Sequence, residues 1–133
     1  MTISEAIDRI DAVKPNAYSE GEKKKWLSQL DSMAWRDVLS THDFNSDETP
    51  MTSFDGYTED TDGDTELLIP DEYGEIYITW LGAKIDFMNQ EINRYTNGQI
   101  MFNAQWADYC NGWNRTHMPK GMPIRGVGGR VLR

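Results

Sequence analysis

Three aspartates stand at alternate positions in the segment DTDGD, as Asp60, Asp62 and Asp64. This is the spacing of the first, third and fifth ligands of an EF-hand calcium loop, in which carboxylate oxygens suit a hard cation. The rest of that pattern is missing, because the sixth position is Thr65 instead of glycine and the twelfth is Asp71 instead of glutamate. We therefore predict a solvated acidic loop without a metal site. A small helical calcium- or protein-binding module is the alternative function.

Few other side chains could support catalysis. The chain has two histidines, His42 and His117, and one cysteine, Cys110, and it lacks the spacings of a nucleophile elbow, a phosphate-binding loop or a zinc protease. His42 is predicted to follow the C-terminal end of a helix, where the helix dipole favours its cationic form, and His117 is predicted to lie in the exit from the last helix. Asp86 and Glu91 are five residues apart, so they share no helix face and are expected to be solvating charges. We predict no enzyme and no cofactor, and Cys110 is expected to be a buried thiol.

The charge of the chain is divided into blocks. The 133 residues include 22 acidic and 13 basic side chains, which gives a formal net charge of −9. Residues 43–75 contain twelve acids and no Lys or Arg, whereas residues 115–133 contain five Lys or Arg and no acid. Nucleic-acid affinity depends on clustered cations, so sequence-specific DNA binding is disfavoured. No long apolar run predicts a membrane span or a signal segment, and we expect one soluble domain made in the cytosol.

Two amphipathic helices are predicted in the first forty residues. Thr2 and Glu5 have the spacing of a capping box, and the apolar stripe that follows them runs to Val13. The second helix begins after Ser19, and its apolar stripe leaves residues 23–25, three lysines, on the solvent side. Residues 43–66 have no sustained period and contain Pro, Gly and Asp, so they are predicted to form a long acidic loop that Phe54 and Tyr57 pin to the body.

Seven aromatic residues at helical spacing indicate two further helices. The first is predicted to begin at Pro70, and its apolar stripe continues through Met88 to Ile92. The polar residues 89–98 predict a turn and hence an αα-hairpin, with one bent helix as the alternative. Packing between helices, with some side chains shared with a subunit interface, is the predicted role of these aromatics: Tyr73, Tyr77, Trp80, Phe102, Trp106, Tyr109 and Trp113.

The chain after residue 117 is rich in Gly and Pro and has only isolated apolar residues. It cannot build a core, so residues 118–133 are predicted to be an extended basic arm on a bundle domain of residues 1–117. The predicted fold class is therefore all-α: a small bundle of about four helices with a long acidic loop at 43–66 and an extended C-terminal arm. The arm residues predicted to bind a partner, spaced as in a strand that pairs with another chain, are Ile124, Arg125, Val127, Arg130, Val131 and Leu132.

Residues 67–121 contain several short sequence motifs. They are an apolar-Pro-x-x-Tyr helix start, the segment Ile-Asn-Arg-Tyr-x-Asn followed by a Phe-Asn pair, and Trp-x-Arg-Thr-His-x-Pro at the end of the last helix. In the first half of the chain, a Trp-Leu-x-x-Leu-Asp helix ends in Thr-His at positions 41 and 42. These motifs resemble those of small head-to-tail connector proteins, also called adaptors, of tailed bacteriophages and prophages.

The resemblance implies a structural, non-enzymatic virion protein of the phage neck. Such adaptors form a ring, commonly a dodecamer, under the portal protein once DNA has been packaged, and a stopper or tail-completion protein then binds below. The resemblance further implies that the C-terminal arm binds the portal, and that the protein is in the host cytoplasm during assembly. An acidic loop along the DNA channel would let the genome slide, because carboxylates do not bind phosphate.

Overall fold

The computed structural model describes residues 1–121, which fold as an all-α bundle without a β-strand and so confirm the predicted fold class. Two 3-10 turns, Leu39–Thr41 and Asp71–Tyr73, flank the long loop. The arm residues predicted to bind a partner lie outside the described residues. The four helices are α1 (Ile3–Val13), α2 (Glu20–Asp37), α3 (Glu75–Met88) and α4 (Ile92–Thr116).

Helix α3 is the centre of the bundle. It packs against α1, α2 and α4, whereas α4 packs only against α3 and the turn at Asp71–Tyr73 among the helical elements of residues 1–121. The buried residues of α3 lie on several sides of the helix, which is typical of a helix surrounded by protein. The predicted start at Pro70 is a 3-10 turn, and the α-helix itself begins at Glu75. The buried residues of α3 are Ile76, Tyr77, Leu81, Gly82, Ala83, Ile85 and Asp86.

Backbone carbonyls of the acidic loop accept hydrogen bonds from the first N–H groups of α1. The Thr2 side chain accepts a hydrogen bond from the Glu5 N–H, and the Glu5 carboxylate accepts one from the Thr2 N–H, so the predicted capping box is confirmed. The Ser4 N–H of the first turn donates to the Gly63 carbonyl, with 2.9 Å between N and O. A Cβ at position 63 would lie 2.1 Å from the Ser4 Oγ, so a larger residue there would have to displace the Ser4 hydroxyl.

Two of the three lysines expected in solvent are buried, which corrects that prediction. The Lys23 Nζ donates to the Asp11 carboxylate at 2.7 Å, and the Lys24 Nζ donates to the carbonyls of Glu59 and Thr61 at 3.2 and 2.8 Å. Lys24 is buried because the acidic loop covers its side of α2 and offers backbone oxygens to the ammonium group. Lys23 is buried against other parts of the chain, the Asp11 carboxylate of α1 and the Tyr18 carbonyl. The loop is irregular, as predicted, and is held at several points along its length.

The predicted hairpin is confirmed, with a tighter turn than expected. Only residues 89–91 separate α3 from α4. The Glu91 N–H donates to the Asp86 carbonyl and the Gln90 N–H to the Phe87 carbonyl, which is a Schellman motif with Gln90 at a φ of 60° where glycine is usual. Gly98, expected to belong to the turn, lies inside α4 instead. A Cβ at Gly98 would be 3.3 Å from the Ala83 Cβ, so this glycine lets the two helices approach each other.

Three residues of the predicted apolar stripes are exposed. They lie at the end of α1 and around the hairpin turn, where no helix of residues 1–121 covers them. The three residues are Val13, Met88 and Ile92, which are 71%, 49% and 61% exposed.

The left-handed conformation of Gln90 predicts a stabilising substitution. Gln90→Gly is expected to raise the free energy of unfolding by about 1 kcal/mol, because glycine adopts a positive φ without the steric cost that other residues have. Urea denaturation would measure it. Gln90→Ala is the matched control and should give little change, because alanine keeps the steric cost while removing the Gln side chain. Equal effects of the two substitutions would contradict this account.

Candidate interaction surface

A buried carboxylate on α2 joins three parts of the chain. Asp31 is fully buried, and its oxygens accept hydrogen bonds from the hydroxyls of Tyr57 and Tyr77, both at 2.5 Å, and from the Leu68 N–H at 3.0 Å. The Tyr77 hydroxyl in turn accepts a hydrogen bond from the Ile69 N–H. One polar cluster inside the apolar core therefore joins helix α2, the acidic loop with the residues just after it, and helix α3.

The electrostatics of this cluster follow from its burial. Burial raises the pKa of the Asp31 carboxyl above its ordinary value, and the hydrogen bonds that it accepts offset part of the rise. Burial also raises the pKa of Tyr57 and of Tyr77, and the neighbouring Asp31 adds to both shifts. Both tyrosines therefore stay protonated and donate. Because Asp31 is enclosed by its partners and has no exposed surface, we interpret the cluster as structural.

Sequence reasoning missed Asp31, although a signal was present. The aspartate stands directly after Leu30 and four residues after Leu27, so it belongs to the apolar stripe of α2. An acid within such a stripe indicates a buried and satisfied carboxylate. Its donors come from positions 57, 68 and 77, far along the chain, and no local pattern specifies them.

The two Thr-His pairs of the sequence end two helical segments in the same way. Thr41-His42 follows α2 and its 3-10 turn, and Thr116-His117 ends α4. In both pairs the histidine Nδ1 lies 2.9 Å from the threonine Oγ1 and within hydrogen-bond distance of the carbonyl four residues earlier. Both histidines lie at the ends of helical segments, as the sequence predicts, and the structure shows that both are buried.

The two Thr-His ends are joined to each other. The Asp43 N–H donates to the Met118 carbonyl at 2.8 Å, and the Lys120 N–H donates to the Thr41 carbonyl at 2.9 Å. These bonds form a short antiparallel bridge between residues 41–43 and 118–120. The first residues of the predicted arm, 118–120, are therefore attached to the bundle.

A carboxylate from the acidic loop supports this junction. The Glu48 oxygens lie 2.8 and 2.9 Å from the His117 Nε2, and the His117 ring stacks on Trp113 with 3.6 Å between ring centroids. Burial acts to raise the pKa of the Glu48 carboxyl, but the Asn45 N–H and the His117 ring outweigh it and hold the pKa below its ordinary value of 4.5. The loop, the end of α4 and the start of the C-terminal segment are thus coupled.

The seven predicted aromatics pack between helices, largely as a continuous row between α3 and α4. Tyr77 is the exception, because its hydroxyl belongs to the Asp31 cluster. Trp80 and Trp106 are half-buried, and the Trp80 Nε1 donates to the Trp26 carbonyl at 2.7 Å. Neighbouring rings are 5.1 to 6.2 Å apart between centroids along the row Trp80, Phe102, Trp106, Tyr109 and Trp113, which Tyr73 joins through Tyr109.

Two surfaces are not covered by any other helix of residues 1–121. The first, the α4 outer face, consists of Ile92, Thr96, Ile100 and Ala104, which point away from α3 and are all exposed. The second, the α1/α4 cleft, has a volume of about 330 Å³ and a floor made by α3. Residues lining the cleft include Val13, Ile78, Gly82, Ala83, Gly98 and Met101. Ile100 and Met101 are 65% and 57% exposed.

The other residues considered for chemistry have different surroundings from those expected. Asp86 is not a solvating charge, because it is buried and its carboxylate accepts from the Lys14 Nζ at 2.7 Å. Cys110 is half-buried, and burial raises the pKa of its thiol. Within residues 1–121, no three Asp, Glu, His or Cys side chains converge closely enough to hold a metal ion, and the carboxylates of the DTDGD segment are no exception.

Comparison with known proteins gives no relative. No protein-family model, no curated protein and no solved structure matches the chain. Among the helices of residues 1–121, none is long and apolar enough to cross a membrane.

Removal of one donor should test the Asp31 cluster. Tyr77→Phe is expected to lower the free energy of unfolding by about 2–3 kcal/mol, because it removes a hydrogen bond to a buried carboxylate and leaves the Ile69 N–H without its acceptor. Chemical denaturation would measure the loss. Tyr95→Phe is the control, since the Tyr95 hydroxyl meets only Gln99 at a half-buried position, and it should cost less than about 0.5 kcal/mol. Similar losses in the two variants would contradict the role of the cluster.

The Glu48 interaction predicts a pH dependence of stability. A carboxyl whose pKa is lowered by folding stabilises the folded state above its ordinary pKa, and this contribution is lost as the pH falls through the lowered value. Glu48→Gln should therefore be less stable than the wild type by about 1 kcal/mol near neutral pH. The difference should disappear on acidification below the ordinary value of 4.5. Thermal unfolding over this range would test it, with the exposed Glu72→Gln as a control that shows no such trend.

Proposed function

We propose that the protein is a structural component of the phage neck: a head–tail connector that forms a ring under the portal and joins the DNA-filled head to the tail. In this proposal it acts by assembly and not by catalysis, and it needs no cofactor. Its partners are further copies of itself, the portal protein and a stopper or tail-completion protein. Its location is the virion neck after assembly in the host cytoplasm.

The observation that carries the proposal is the resemblance of residues 67–121 to connector proteins. The motif residues have structural roles that suit an assembly protein. Pro70 and Tyr73 begin the α3–α4 hairpin, and Thr116 and His117 end α4 next to the bridge that attaches residues 118–120 to the bundle. A connector must present its arm at a fixed place, and the bridge between residues 41–43 and 118–120 supplies such a place.

The surface of the bundle also supports an assembly role. Exposed apolar side chains are concentrated on the α4 outer face, at the α1/α4 cleft and at the hairpin turn. Concentrated exposed apolar surface usually indicates an interaction site in a protein of this size. Solvent-facing carboxylates dominate the loop, and in the proposed ring they line the DNA channel, where they offer the phosphate backbone no contact.

The test is genetic. A stop codon early in the gene, introduced into the phage or induced prophage that carries it, should give heads filled with DNA and separate tails in electron micrographs. Expression of the intact protein from a plasmid should restore complete particles. Normal particles without the protein, or heads that fail to package DNA, would each contradict a connector role.

The arm gives a second prediction. A chain that ends at Gly121 should keep its helical content and melting temperature, because every contact described above lies within residues 1–121, yet it should fail to restore complete particles. A matched full-length variant carries Ser at positions 124, 127, 131 and 132, which removes the apolar side chains and keeps the arginines. It should fail as well if apolar contacts attach the arm to the portal. Full complementation by both variants would exclude the arm as the portal-binding segment.

A further inference from the structure

A small pocket, the Trp80 pocket, lies between helices α3 and α4 near the hairpin turn. It has a volume of about 130 Å³. The rings of Phe87 and Tyr95, which both line it, are 5.2 Å apart between centroids. Because three of the six lining side chains are aromatic, the pocket suits an apolar group. The six lining residues are Trp80, Ala83, Lys84, Phe87, Tyr95 and Gln99.

Lys84 brings an ammonium group to this pocket without a counter-charge. Its Nζ lies 4.6 Å from the centroid of the Trp80 ring, which is a cation–π contact. The chain has 22 acidic side chains, yet no carboxylate of residues 1–121 pairs with Lys84. The acids closest to it in sequence, Asp86 and Glu91, pair with other basic residues. The half-buried ammonium group therefore keeps its donors for an anionic guest.

The Tyr95 hydroxyl offers a second donor. It accepts a hydrogen bond from the Gln99 Nε2 at 2.8 Å, and its own proton meets no acceptor in the part of the chain that the structure describes. A phenol hydroxyl can donate one hydrogen bond while it accepts another. Two donors, one of them cationic, favour a carboxylate beside the apolar group.

The size of the pocket indicates what carries this apolar group. Sites that enclose a whole small molecule have volumes of about 300–1,000 Å³, whereas a cavity of about 150 Å³ holds a single benzene ring. The Trp80 pocket therefore has room for one apolar side chain, and the rest of the guest must lie outside it on the surface. This is how a peptide with one anchor side chain binds.

We infer that the Trp80 pocket binds a short acidic segment of a partner protein. An aromatic or branched apolar side chain of that segment enters the pocket, and a neighbouring carboxylate contacts Lys84 and Tyr95. The formal net charge of −9 repels an acidic partner at long range, so the affinity comes from these short-range contacts. Binding at this site requires neither a ring nor a portal and thus goes beyond the connector proposal.

The test uses two probe peptides, acetyl-Gly-Asp-Phe-amide and acetyl-Phe-Asp-Gly-amide, which place the carboxylate before or after the ring. NMR would follow the amide signals of the isotope-labelled full chain as each peptide is added. At least one peptide should shift the signals of residues 80–87 and 95–99 until they saturate. With Asn in place of Asp, the same peptide should bind about fivefold more weakly. With Ala in place of Phe, it should not bind.

Two variants locate the contacts within the pocket. Lys84→Met removes the charge and keeps a long apolar stem, so it should lose the preference for the Asp peptide over the Asn peptide. Phe87→Ala removes one wall of the pocket and should weaken the binding of both peptides. Lys25→Met is the matched control, because Lys25 is an exposed lysine on α2, and it should bind like the wild type. Circular dichroism would first establish that all three variants are folded.

Any of four results would overturn the inference. Neither peptide shifts the signals of the pocket at its solubility limit, the Asp and Asn peptides bind equally, or Lys84→Met binds like the wild type. The fourth is tighter binding of hydrocinnamate, a small aromatic carboxylate, than of either peptide, which would show that the pocket takes a free acid instead. Failure of the connector proposal is distinguishable, because it would appear in the particles and leave peptide binding unchanged.

Discussion

The fold depends on a buried carboxylate that must be satisfied. Asp31 lies in the core of α2, where an unpaired acid would destabilise the protein strongly, and its partners come from the acidic loop and from α3. The loop cannot leave the bundle without breaking these hydrogen bonds. Because the loop is held there, its backbone can complete α1 through Gly63 and can accept from the buried Lys24. One polar cluster thus determines how a long acidic segment lies on a small apolar core.

The same arrangement explains which surfaces stay uncovered. Helix α3 is enclosed by α1, α2 and α4, and the loop covers one side of α2. Helix α4 is left on the outside, with its aromatic row against α3 and its outer face in solvent. The chain is only 38% hydrophobic, so a single copy has little apolar surface to spare. Apolar side chains that remain exposed on α4 and around the α1/α4 cleft are better explained by contact with another chain than by the needs of one copy.

Much of this fold could be predicted from local patterns, and the rest could not. The capping box at Thr2, the hairpin and the aromatic packing all depend on neighbouring residues or on helical spacing. The buried charges Lys24, Asp31 and Asp86 were missed or placed in solvent, because each is stabilised by a partner more than thirty residues away. In the hairpin, glycine and a non-glycine residue also occupy the opposite positions from those expected. Glycine was expected in the turn, but close packing needs it inside α4, and Gln90 takes the left-handed turn position. The two Thr-His pairs were visible in the sequence, but their junction needed the fold.

The proposed connector function depends on attachment to a portal. The most direct measurement is light scattering during gel filtration of this protein mixed with the portal protein from the same genome. The account predicts one peak that contains both proteins, with a mass above that of the portal ring by many copies of this chain. Separate elution of the two proteins, each at the mass it has alone, would contradict the central claim.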